Sequence, residues 1–398
     1  MRSQTSSSSR LSAIDALRGA VMIFMALDHI RDFFHAEAIL FSPTDLSRTT
    51  VLLFFTRWIT HFCLPVFMFL AGTGAFLRGR KYTKAQLSQF LWTRGLWFLV
   101  LEITAMRLAY NFNFSTQFMF FLLILWVFGV CMIVMAALIH LPIRWLAVLS
   151  VAVIAFHNLL DGIPASQFGS HTWIWNFLHQ PGVFSLAGIR ILIAYPLLPW
   201  VAVMAAGYCF GEVFLLVPER RQKIMVRLGL ALTIAFVVIR AVNRYGDPAP
   251  WSHQKSGVFT LLSFLNCTKY PGSLDFLLMT IGPALLVLAW FDRCTWKNSN
   301  PLIVFGRVPF FYFVLHFYLM HGLAAVMALL RYGTRAFAFI FNPVPTMGGP
   351  ADLYPANFGY HLWVVYAVWI GMVAALYPCC KWYMGVKARR HNWWLSYL

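Results

Sequence analysis

The sequence predicts an all-α fold: a polytopic transmembrane helix bundle of about ten spans with one short re-entrant or interfacial segment. Three observations predict it. Of the 398 residues, 60% are hydrophobic and only 11% charged, whereas a soluble globular chain carries about 25% charged residues. Apolar runs of roughly 18 residues or more recur along the chain, and a bilayer core of ~30 Å takes about 20 helical residues to cross. The basic residues gather in short stretches between those runs, which is the mark of membrane topology.

The runs fall at about 16–36, 51–77, 90–109, 116–139, 144–160, 187–215, 227–243, 273–291, 305–330 and 360–379. Ahead of them, residues 1–12 read as a polar cytoplasmic tail, and 13–398 as a single integral-membrane domain. The first run is long enough for a retained span and is not a cleavable signal. Between the seventh and eighth runs, "GVFTLLSFLNCTKYPGSL" is too short to cross and ends in a Pro-Gly turn. Residues 78–84, 218–227 and 381–390 carry four Lys or Arg each, and 161–186 carries none. With ten spans the three basic stretches share a side with the N-terminus, which makes both termini cytoplasmic. Arg240, Arg244 and Lys255 dissent, beside the odd short segment. The far-side loops, rich in Gly, Pro, Trp and His, are the natural meeting place for an extracytoplasmic substrate.

The formal net charge of +18 would point to nucleic acid in a soluble chain. Here topology accounts for it, and no nucleic-acid partner is expected; membrane lipids are. The seven cysteines lie in or beside apolar runs without metal-ligand or disulfide spacing, so no metal is expected. There is no P-loop, GxGxxG, HExxH or GxSxG, which removes the usual support for nucleotide hydrolysis, hydride transfer, zinc proteolysis and serine hydrolysis.

Chemistry concentrates in the first span, "DALRGAVMIFMALDHIRDFFH". Asp15 and Arg18 share a face and can pair. His29 lies ~21 Å further along the same helix, near the opposite boundary. Asp28, Arg31, Asp32 and His35 fall on one stripe, with Asp28 placed to pair with Arg31 and Asp32 placed to orient His29. A carboxylate that fixes an imidazole is what a general base needs. The alternative is that these residues end the helix in headgroups and water. Ionisable side chains within a span are costly, ~2.5–3.5 kcal/mol each at mid-bilayer, and so are functional candidates by default. A second group comes from "NPLIVFGRVPFFYFVLHFYLMHGLA", residues 300–324. His316 sits mid-span as a further catalytic candidate or a satisfied core residue, with Tyr312 one turn before it. Arg307, at the other end, could meet a phosphate or snorkel to the interface. Arg94, Glu102 and Asp275 read as structural, with partners on other helices.

The pieces "IDALRG", "LPVFMFLAGTGAFL", "TKYPGSLDFLLMTIGPALL" and "NPLIVFGRVPFFYFVLHFYLMH" resemble, in the same order, the membrane acyltransferases related to heparan-α-glucosaminide N-acetyltransferase, a family with many bacterial members. The resemblance implies a membrane-embedded acetyltransferase. It would move an acetyl group from cytoplasmic acetyl-CoA to an extracytoplasmic, carbohydrate-like amine or hydroxyl, with the chain in the inner membrane of a bacterium. The wider acyltransferase-3 family has a similar first helix, Asp-x-x-Arg with a His fourteen residues after the Asp, and Asp15, Arg18 and His29 reproduce it. By that resemblance Asp15 and Arg18 help seat the acyl donor and His29 is the base. The human-type enzymes have Asn at the equivalent of His29 and their critical His slightly later, for which His35 is the nearest candidate. A multi-pass transporter using buried Asp, His and Arg is the competing class. The acceptor, and whether the chain forms a homodimer, are left open by the sequence.

Overall fold

A computed structural model describes residues 5–115, 119–347, 349–390 and 395. Residues 1–4, at the head of the expected tail, and the first residues of the span expected at 116–139 lie outside these. The chain is an all-α membrane bundle. Its helices are α1 (Thr5–Phe34), α2 (Val51–Trp58), α3 (Cys63–Gly79), α4 (Lys84–Leu101), α5 (Arg107–Asn111), α6 (Ile124–Leu138), α7 (Ile143–Phe156) and α8 (Thr172–Leu178). Then follow α9 (Leu197–Phe210), α10 (Pro218–Val242), α11 (Gly257–Leu265), α12 (Leu274–Phe291), α13 (Pro301–Arg307), α14 (Pro309–Tyr332) and α15 (Leu362–Arg389). Among the described residues seven helical segments are long and apolar enough to cross a membrane. The other three expected spans fall on α1 and α4, which carry several charges, and on α6, which has 15 residues. The segment expected to be re-entrant is the short helix α11 and the turn after it.

The expected span at 187–215 is helical only from Leu197. Its first residues form a hairpin, β2 (Gly182–Leu186) against β3 (Ile189–Ile193), after a three-residue strand β1 (Phe120–Leu122). Ala187 and Gly188 both take positive φ, 50° and 81°. That is the two-residue turn whose twist suits an antiparallel hairpin, and the register Leu186↔Ile189 to Gly182↔Ile193 follows from it. Apolar composition alone does not distinguish such a strand from the start of a helix.

The chain divides into two compact units. The first comprises residues 1–14, 64–103 and 121–295. Within it, among the described residues, Glu102 meets no cation; its carboxylate accepts the backbone N–H groups of Leu123, Leu125 and Trp126 at 3.0, 2.9 and 3.3 Å. It thereby caps the orphan donors at the start of α6. Arg240, which dissents from the topology rule, is a structural anchor: its guanidinium donates to the carbonyls of Phe264, Ala249, Ser263 and Asn266. Asp275 lies 3.7 Å from it. One buried cation thus ties down the backbone around α11, which no regular ladder satisfies.

The second unit comprises residues 15–63, 104–120 and 296–398. In it α13 packs against the middle of α1 so closely that neither crossing residue could carry a side chain. A Cβ at Gly19 would lie 1.9 Å from the Leu302 carbonyl oxygen, and one at Gly306 would lie 1.8 Å from that of Asp15. Small residues at crossings let backbones approach in this way. Trp369 Nε1 of α15 donates to the Ile23 carbonyl at 2.8 Å, and Tyr366 bonds Thr56 at 2.5 Å. Tyr318 of α14 donates to the Ala105 carbonyl at 2.6 Å. Replacing Gly306 by Val is expected to lower stability by about 1–3 kcal/mol through overpacking, read as a lower unfolding midpoint in detergent. Gly322→Ala, where an added Cβ meets nothing within 4 Å, is expected to stay within about 1 kcal/mol of the parent.

Candidate active site

Every residue singled out in the sequence as catalytic or donor-binding belongs to the second unit. They form two groups along α1. In its N-terminal half the Asp15 carboxylate lies between two guanidinium groups: Arg18 donates to one oxygen at 3.2 Å and Arg307 to the other at 3.4 Å. Arg18 also donates to the Gly306 carbonyl at 3.0 Å, a contact that the bare glycine crossing permits. The Arg18 and Arg307 side chains keep 22% and 33% of their surface exposed. One acid held between two partly accessible arginines leaves net positive charge and spare N–H donors, which suits a phosphate-bearing ligand.

The second group lies at the other end of α1. His29 Nδ1 is 2.8 Å from His316 Nε2 of α14, the rings 5.1 Å apart between centroids. The His316 ring is fully buried and its Nδ1 lies 3.3 Å from the Tyr312 carbonyl oxygen. A carbonyl only accepts, so His316 Nδ1 carries a proton. In the neutral pair His316 Nε2 is then the acceptor, and His29 must donate from Nδ1. That assignment leaves a lone pair on His29 Nε2. Phe317 walls both rings, at 4.3 Å from His29 and 4.5 Å from His316, and His29 itself is half-buried.

Around this pair the charges are matched within the bundle. Asp28 pairs with Arg31 at 3.0 Å, as the helical spacing predicts, and also with Arg57 of α2. Asp32, placed by spacing to orient His29, has its carboxylate on Arg31 at 2.6 Å, and His29 Nδ1 faces His316. A guanidinium is the stronger donor to a carboxylate than a neutral imidazole. His35 is buried just beyond the end of α1, where the backbone of Tyr360 pairs with it: Tyr360 N–H donates to the Phe34 carbonyl at 2.7 Å and Ala36 N–H to the Tyr360 carbonyl at 3.0 Å. His321, one turn past His316, has its Nδ1 2.8 Å from the Ala109 carbonyl oxygen and its Nε2 3.0 Å from that of Ile340, and as a neutral ring it donates to one of them. It serves the backbone. Among the described residues no group of three or more His, Cys, Asp or Glu is arranged to hold a metal ion.

Sequence reasoning missed Arg57, and it missed that His316 is the partner of His29. Both contacts join helices far apart in the chain, so spacing along one helix carries no signal for them.

The family model described as "Heparan-alpha-glucosaminide N-acetyltransferase, catalytic" matches residues 10–241, more than half of the chain. Asp15, Arg18, Asp28, His29, Asp32 and His35 lie within the match, and Arg307 and His316 beyond it. No curated protein matches the chain. Removing Asp28 as Asp28→Ala leaves Arg31 and Arg57 without the carboxylate between them. The expected cost is about 3–5 kcal/mol, read as a fall in the unfolding midpoint. The double variant Asp28→Ala/Arg57→Ala should lose less than the two single losses added together.

Proposed function

Because the chain belongs to the heparan-alpha-glucosaminide N-acetyltransferase catalytic family, a family of membrane acetyltransferases, we propose that it transfers the acetyl group of acetyl-CoA, bound from the cytoplasmic side, to an extracytoplasmic sugar amine or hydroxyl. The observation that carries this reading is the His29–His316 contact at 2.8 Å, which leaves a lone pair on His29 Nε2. It is joined by a phosphate-compatible group, Asp15 with Arg18 and Arg307, at the other end of the same helix.

In the proposed reaction the acceptor N–H or O–H attacks the thioester carbonyl. As the new C–N or C–O bond forms, His29 Nε2 takes the acceptor proton. The carbon–sulfur bond then breaks, and His29 returns that proton to the departing CoA thiolate, so the products are the acetylated acceptor and CoA thiol. The imidazolium formed in between is stabilised because His29 Nδ1–H already donates to His316 Nε2, and that ring is held by the Tyr312 carbonyl. Asp28 and Asp32 stand close by in sequence, their charge balanced by Arg31 and Arg57, and give the outer end of α1 a fixed electrostatic setting. His35 is the alternative base by resemblance. Its placement beyond the helix end, joined through the backbone to Tyr360, favours His29 for the proton. Arg18 and Arg307 bind CoA phosphate oxygens, and the pantetheine arm carries the thioester the ~21 Å along α1 to His29. The basic stretches at 78–84, 218–227 and 381–390 support a cytoplasmic side for the donor end.

Purified protein given labelled acetyl-CoA and an amino sugar tests this reading. His29→Ala is expected to lower turnover by about 10²–10⁴-fold, and His316→Ala by about 10–10²-fold. Because the two act as one unit, the double variant should be little worse than His29→Ala alone. Arg18→Ala is expected to raise the KM for acetyl-CoA about tenfold or more with less effect on kcat. Turnover unchanged in His29→Ala, or passing to His35→Ala, would overturn the assignment of the base.

A further inference from the structure

One polar side chain, on the segment that packs against Phe317 and His321, is used by nothing in the reaction proposed above. Asn111, the last residue of α5, is fully buried, and neither its Oδ1 nor its Nδ2 has a hydrogen-bond partner among the described residues. Leaving a buried donor or acceptor unmade carries its full desolvation cost, so a side chain that leaves both unmade calls for a reason.

Its surroundings supply one. The preceding residue, Tyr110, packs its ring 4.9 Å from Phe317, the same ring that walls His29 and His316. The following residue, Phe112, stacks on His321 at 3.7 Å, and Phe33 of α1 packs on His321 at 5.0 Å. Phe33 is four residues past His29 along α1, and His321 five past His316 along α14, about 6 and 7.5 Å on at helical rise. Both steps lead away from the Asp15 end. The segment is also held rigidly: His321 Nδ1 lies 2.8 Å from the Ala109 carbonyl oxygen, and Phe112 is kept at φ 51°, a conformation that costs a large side chain free energy.

We infer that Asn111 binds the acceptor: on the side of the His29–His316 pair opposite the donor arginines, its carboxamide receives a hydroxyl group of a carbohydrate-like substrate. A hydroxyl donates once and accepts once, and the amide offers one oxygen to accept and one N–H to donate, so a single hydroxyl satisfies both orphaned atoms. The CoA arm ends at the thioester, short of this position. The inference rests on the acetyl-transfer reading, and it names a specificity contact that the reading itself does not need.

The test uses the full-length protein with acetyl-CoA and glucosamine as the acceptor probe, comparing Asn111→Leu, close in size and apolar, with Asn111→Ser, which keeps a hydroxyl. Asn111→Leu is expected to raise the KM for glucosamine about tenfold or more, with the KM for acetyl-CoA moving less than about twofold. Asn111→Ser should fall between Leu and the parent, and carries the test if the Leu variant does not fold. An unchanged glucosamine KM, or the two KM values rising together, overturns the inference. So does a parent protein in which His29-dependent thioester hydrolysis proceeds and glucosamine does not accelerate it, an outcome that leaves the transfer reading standing. A parent protein that turns over no thioester overturns both.

Discussion

Two imidazoles on different helices, His29 on α1 and His316 on α14, share one proton position across 2.8 Å. Neither ring could do this work alone in an apolar bundle. His316 is enclosed, with Tyr312 and Phe317 rings against it, and the Tyr312 carbonyl fixes which of its nitrogens is protonated. With both rings neutral, His29 inherits its tautomer from that choice and carries its proton on Nδ1. The aspartate that performs this role in other acid–base pairs is replaced here by an uncharged ring, which a low-dielectric interior tolerates at far smaller desolvation cost.

The same interior dictates the rest of the polar structure. With no water to satisfy buried groups, each charge is answered by protein: Asp15 by Arg18 and Arg307, Asp28 by Arg31 and Arg57, Arg221 by Asp292, and Arg240 by four carbonyls. Some of these arrangements have capacity to spare, as with the partly exposed side chains of Arg18 and Arg307, which suit a ligand. Others are closed, as with Glu102 and Arg240, and those hold irregular backbone. Openness of a matched charge separates a site from a brace better than charge does.

Much of this was legible in the residues. Apolar run length foretold the helices, the i,i+3 spacing foretold Asp15–Arg18 and Asp28–Arg31, and the placement of His29 fourteen residues past Asp15 separated the two ends of α1. What stayed hidden followed from contacts between helices. The spacing of Asp32 and His29 is compatible with a bond, yet the neighbouring guanidinium of Arg31 engages that carboxylate and His316 takes the imidazole. The hairpin at 182–193 was hidden for a different reason: "AGIRILIAYPLLPW" is apolar in either state, and only the positive φ at Ala187 and Gly188 turns it into strand. Asn111 carried no signal at all, because an asparagine beside a tyrosine on a short helix is ordinary until its amide is seen to be enclosed without a partner.

The protonation pattern of the histidine pair bears most directly on the account. Nitrogen-15 NMR of the protein with labelled histidine, assigned by comparison with His29→Ala and His316→Ala, reads which ring nitrogen carries the proton. For a neutral pair the geometry places the proton of each ring on Nδ1, with a coupling between His29 Nδ1–H and His316 Nε2 and an unprotonated Nε2 on His29. A His29 protonated at Nε2, or a His316 without a proton on Nδ1, would contradict it.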